Sequence, residues 1–245
     1  MTTQTPTYRK TAIAVGILYI IATAVSLLST ALAGGALDAP DYLTRVAAQG
    51  DQTIAAALLL IAGGVAAVLI AALLFPVLQS FGEGMALGYV GMRILEAVTL
   101  LVDAVGLLLL VSVSRDFVSA GAGSAAASHL SSAGTLLLAL HEWAFPLDPI
   151  VFAIGGLLLY TLLYRSRLVP RWLSVWGMAG AVLVFAYALL RMYGGGTMLL
   201  AVPIGVQEMV LAGWLIARGF DVHASRREAL QPRVSGELGL SGSGS

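Results

Sequence analysis

The chain is 245 residues long, 59% hydrophobic and 11% charged, with a mean hydropathy of +0.92, a balance far from that of a water-soluble domain. Its 13 basic and 13 acidic residues cancel, so net charge gives no ground for a nucleic-acid partner or an anionic surface. Cysteine is absent, which removes disulfides, thiolate metal sites, iron–sulfur clusters and a cysteine nucleophile.

The first apolar run covers residues 11–33, behind Arg9 and Lys10. A signal peptide also begins basic, but its apolar part is only about 7–15 residues. This run approaches the ~20 residues needed to cross a bilayer, so it reads as a retained helix that directs insertion. Four more runs are each long enough for one crossing: 53–78, 86–113, 172–192 and 198–217. A longer stretch, 131–164, is interrupted by Pro146 and Pro149. As one helix it would extend about 50 Å against a ~30 Å hydrocarbon core, and split in two each half would fall short. The expected solution is one crossing ending at Tyr164, preceded by an amphipathic segment outside the membrane. The predicted fold is an all-α polytopic bundle of six transmembrane helices. Residues 1–10 form a cytoplasmic N-terminus, 11–218 the transmembrane domain, and 219–245 a flexible cytoplasmic tail. Within that tail 235–245 is rich in Gly and Ser, and 241–245 resembles an appended cloning linker.

Orientation follows from the basic residues, which accumulate on the cytoplasmic side of short loops. With the N-terminus inside, Arg9, Lys10, Arg165, Arg167, Arg171, Arg218, Arg226, Arg227 and Arg233 are cytoplasmic. Only Arg45, Arg115 and Arg191 are external, and Arg93 lies within a helix. Both termini are therefore expected in the cytoplasm. Gly84 and Gly88 have the spacing that lets membrane helices pack closely, and Gly63-Gly64 and Gly155-Gly156 sit within spans.

Ionisable residues inside spans are costly and face the bundle interior. Arg93, Glu96 and Asp103 fall at offsets of three and seven, on one face of the third helix. Gln207 and Glu208 sit halfway along the sixth, which puts Glu208 at the depth of Glu96, with Arg93 placed to bridge them. Counted back ~20 residues from Tyr164, His141, Glu142 and Asp148 fall near the outer boundary, and Arg191 near the outer end of the fifth helix. Together these residues predict a polar cavity open to the external face and closed by Arg93, Glu96 and Glu208. In the competing view the arginine between two glutamates only neutralises charge and fixes helix register, and Asp103 snorkels to the outer interface.

His141 and Glu142 tempt a metal assignment. Adjacent helical residues diverge by about 100°, however, and no second histidine stands at i+3 or i+4. His129 is expected in an external segment and His223 in the tail. No metal and no cofactor are expected, and His141 reads as an interfacial histidine. Phosphate loops, a nucleophile elbow and an intramembrane lysine are also missing. Tyr8, Trp172, Trp176 and Tyr193 read as interfacial anchors.

The pieces Arg93-Ile-Leu-Glu96-Ala97, His141-Glu142-Trp143-Ala144-Phe145, Tyr164-Arg-Ser-Arg-Leu-Val-Pro-Arg-Trp-Leu173 and Pro203-Ile-Gly-Val-Gln-Glu208 resemble the bacterial membrane family named domain of unknown function 4386, from about Arg9 to Phe220. The resemblance implies a six-helix, multi-pass protein of the bacterial inner membrane in which the Arg-Glu pair, the His-Glu pair and the last-helix glutamate recur. It implies no activity. Trp143 departs from the pattern, standing where tyrosine is expected.

Three functions compete. The leading one is a non-enzymatic protein whose cavity binds a small ligand or cation, or relays protons through Glu96 and Glu208. The second is a metal-assisted intramembrane hydrolase acting on lipid through His141, Glu142, Asp148 and Glu208. The third is a structural or regulatory membrane subunit.

Overall fold

A computed structural model of the chain describes residues 6–121 and 123–221. Arg226, Arg227, Arg233, His223 and the Gly/Ser-rich end lie outside the described residues. Every regular element among the described residues is helical. They are α1 (Pro6–Leu37), the short α2 (Tyr42–Ala48), α3 (Gly50–Ala120), α4 (Ala125–Ser166), α5 (Arg171–Met192) and α6 (Val202–Ala217), which a single 3-10 turn at Met198–Leu200 precedes.

At 71 residues α3 would be about 105 Å long if straight. Its backbone leaves helical geometry at Gly82, in a Gly-Glu-Gly sequence of poor helix propensity. The chain folds back there into two arms, α3a (50–81) and α3b (83–120). A Cβ placed on Gly64 would stand 3.2 Å from the Ala97 backbone, and Arg115 faces Asp51 at 3.7 Å. The two arms therefore run antiparallel in close contact, as expected of separate helices over 53–78 and 86–113.

The sequence expectation fails for α4. It is one helix of 42 residues, about 63 Å, with Pro146 and Pro149 inside it. The Ser124 side chain caps its start by accepting from the Ala127 amide at 3.0 Å, and Arg167 ends it in left-handed geometry at φ 54. The segment expected to be a separate amphipathic piece is the first half of this helix. Proline is tolerated in helices whose neighbours re-satisfy the freed backbone, and Ala144 and Pro146 are buried against the bundle.

The start of α1, the break at Gly82, the α4–α5 connection and the end of α6 gather at one end of the bundle. There Arg9 donates to the carbonyls of Leu215, Ile216 and Ala217 at 3.2, 2.7 and 3.3 Å, placing a cation at the negative C-terminal end of α6. The opposite end gathers α2, the start of α3a, the end of α3b and the start of α4, where Tyr42 and Thr135 hydroxyls meet at 3.4 Å. Each end has its own apolar core. Tyr19, Leu74, Tyr89, Leu159, Leu173 and Leu211 belong to the first, and Leu37, Leu43, Val46, Ala57, Leu107 and Leu110 to the second.

Large apolar side chains also cover the perimeter: Ile17, Leu27, Leu58, Val65, Val98, Val105 and Val182 are all exposed. A soluble fold would not leave such a surface in water. Five of the helices are long and apolar enough to cross a membrane, α3 counted once. The chain is an all-helical bundle of membrane-protein character.

Candidate functional site

The polar side chains predicted to face inward lie between the two apolar cores. On α3b, Arg93 Nη1 donates to both oxygens of Glu96, at 2.9 and 2.8 Å. Both residues are buried, Arg93 to 4% exposure and Glu96 to 7%. The guanidinium also lies 5.3 Å from the ring centroid of Tyr89 and 4.9 Å from that of Phe152, within cation–π range. Arg93 therefore meets Glu96 on its own helix, as i,i+3 spacing allows. The expected bridge to Glu208 is not made, since among the described residues Glu208 forms no ion pair.

Glu208 nonetheless shares a space with that pair. A cavity of about 230 Å³ is lined by Arg93, Glu96, Asp148 and Glu208, drawn from α3b, α4 and α6, together with Tyr19 and other residues of α1 and α3a. Asp148 accepts from the Thr99 hydroxyl at 3.2 Å. Its place here corrects the expectation of an outer boundary position, because an uninterrupted α4 carries it alongside Glu96 and Thr99. Tyr19 and Thr99 carry no formal charge and gave no sequence signal. The hydroxyls of Tyr19 and Tyr89 are buried beside each other and beside Arg93.

A second pocket, of about 480 Å³, is lined by Asp38 at the end of α1, His141 and Glu142 on α4, and Arg191 at the end of α5. Beside it, His141 Nδ1 and Asp103 Oδ1 are 2.6 Å apart across α4 and α3b. Asp103 is 6% exposed, so it is a buried interhelical partner rather than a snorkelling surface acid, and His141 is not a solitary interfacial ring. The polar residues thus form two pockets joined by neighbouring helices, where one tapering cavity was expected.

Gln207 belongs to neither. It is fully buried, accepts from Tyr160 at 2.7 Å and donates to the Leu173 carbonyl at 3.1 Å, tying α6 to α4 and α5. His129 is exposed on the first turns of α4. His141 and Glu142 face one pocket while Asp148 and Glu208 face the other, so the donor set imagined for a metal-assisted hydrolase does not converge. Among the described residues no three His, Asp or Glu side chains come together as metal ligands.

Fold and site together define a class: an all-α bundle of membrane-protein character that carries ionisable side chains between its helices. Within that class, the chain belongs to the family described as Domain of unknown function (DUF4386), whose model matches residues 14–219. No curated protein and no solved structure matches it.

Proposed function

We propose that the protein is a six-crossing component of a bacterial inner membrane, with both termini cytoplasmic, that binds a small ligand or cation, or relays protons, in the cavity containing Glu96 and Glu208. The six crossings are α1, α3a, α3b, α4, α5 and α6. The orientation rests on the basic residues at the Arg9 end of the bundle, opposite Arg45, Arg115 and Arg191. One observation carries the functional reading. Four charged side chains from three helices line a single cavity, although ionisable groups in spans are rare, costly and typical of ion or substrate paths.

The structural alternative accounts for the Arg93–Phe152, Asp103–His141 and Thr99–Asp148 contacts, which tie α3b to α4, but not for Glu208, which makes no ion pair among the described residues. The second pocket, with Asp38, Glu142 and Arg191, supplies a polar antechamber on the side away from the cytoplasm. The test compares wild type with Glu208→Gln, by thermal stabilisation against a panel of cations and by proton flux in liposomes. The reading expects the wild type to respond and the variant to lose the response. Identical behaviour of the two across pH and ligands would refute it.

A further inference from the structure

The first cavity is not walled evenly. Near the Arg9 end, α1 and α6 touch closely: a Cβ on Gly16 would meet Ile216 Cγ1 at 2.7 Å and the Ala212 carbonyl at 2.8 Å. Further along, the same helices line the cavity through Thr23, Ser26 and Leu27 on one side and Ala201, Gly205 and Glu208 on the other. There a Cβ on Gly205 would meet nothing within 4 Å. The two helices thus part into a wedge at the level of Glu208. Its lip on α1 is lipid-facing, where Ser26 is exposed and Leu27 is 59% exposed.

The interior carries an excess of acid. Arg93 is matched by Glu96, while Asp148 and Glu208 have no cationic partner among the described residues. Tyr19, 2% exposed, adds a buried hydroxyl to the lining. At about 230 Å³ the space is smaller than the ~300–1,000 Å³ of ordinary ligand pockets. It suits a polar head, with the rest of the molecule left outside.

Resting on the cavity reading above, we propose that this site takes amphipathic organic amines from the lipid phase, the ammonium head entering between α1 and α6 to meet Glu208 and Asp148 while the hydrocarbon tail stays between the helices and the bilayer. The charge excess selects a cation, the apolar lip selects a tail, and the wedge supplies the lateral route.

The full chain in lipid nanodiscs is titrated with dodecyltrimethylammonium, tetramethylammonium and dodecyl sulfate, with empty nanodiscs as the partition control and thermal stability as the readout. The wild type should bind the tailed ammonium at least about tenfold more tightly than the tail-less one, a difference of about 1.4 kcal/mol, and should show no specific response to the sulfate. Glu208→Gln should weaken both ammonium ions about tenfold. Gly205→Phe and Ser26→Phe, which fill the wedge from either side, should abolish the advantage of the tail. A tail advantage retained in both wedge variants, or an equal response to dodecyl sulfate, would overturn the assignment. If neither ammonium stabilises the wild type the amine assignment also falls, whereas proton flux lost in Glu208→Gln would still sustain the cavity reading.

Discussion

Arg93 and Glu96 are both removed from water, and each is the other's ion-pair partner. Breaking such a pair from one side costs about 3–5 kcal/mol, because an uncompensated charge stays buried. Arg93→Met should therefore lower the unfolding midpoint strongly, and adding Glu96→Gln should recover most of the loss. Equal destabilisation in the single and double variants would contradict this assignment. Gln207→Leu, by contrast, strands the Tyr160 hydroxyl and the Leu173 carbonyl. It should cost about 1–3 kcal/mol in denaturation without altering any response that depends on Glu208. The residues of α3b were legible from spacing alone, since offsets of three and seven share a face. Gln207 and Glu208 were grouped wrongly because neighbours on a helix diverge by about 100°, so only one of them can face the cavity. Tyr19 and Thr99 are ordinary constituents of apolar helices, and no pattern in the sequence marks them.

At the scale of the elements, close helix approaches occur at Gly64 and Gly155, which the sequence marked, and also at glycines such as Gly177 that it did not. A Cβ on Gly177 would stand 2.5 Å from the Tyr160 ring, so Gly177→Ala should force α4 and α5 apart and cost about 1–3 kcal/mol. Gly91 faces open space in the interior of α3b, more than two turns from its start, where alanine should be neutral or stabilising by up to about 1 kcal/mol. Thermal denaturation of the two variants in one detergent compares them directly, and equal effects would contradict the packing described. Of the Gly84–Gly88 pair only Gly88 packs closely, where a Cβ would meet Leu158 at 3.3 Å, whereas a Cβ on Gly84 would touch nothing within 4 Å. Its neighbour Gly82 instead marks the reversal of α3. The apolar runs were readable because each is about a span long and carries few charges, three in 86–113 and one each in 172–192 and 198–217. The continuity of α4 was not, because the effect of Pro146 and Pro149 depends on the helices packed around them. That one error also displaced Asp148.

At the scale of the whole molecule, the proposed topology puts the Gly82 turn on the cytoplasmic side and the far end of α3b outside. The chain has no cysteine, so single substitutions at exposed positions report sidedness without a background. In intact spheroplasts a membrane-impermeant maleimide should label Asp116→Cys and leave Glu83→Cys unmodified until the cells are opened. The reverse pattern would invert the topology, which was legible only as a bias of arginines between loops. The proposed site requires that Glu208 and Asp148 face a polar space inside the bundle while the surface around them faces lipid. Formation of a mixed disulfide with a methanethiosulfonate, which releases methanesulfinate, needs a thiolate and thus a hydrated thiol. Reaction rates with a small methanethiosulfonate ammonium reagent at Glu208→Cys, Asp148→Cys and the lipid-facing control Val206→Cys test the claim directly. The account predicts that the first two react while the control stays inert; if Glu208→Cys and Asp148→Cys are as unreactive as Val206→Cys, the cavity is not a polar site.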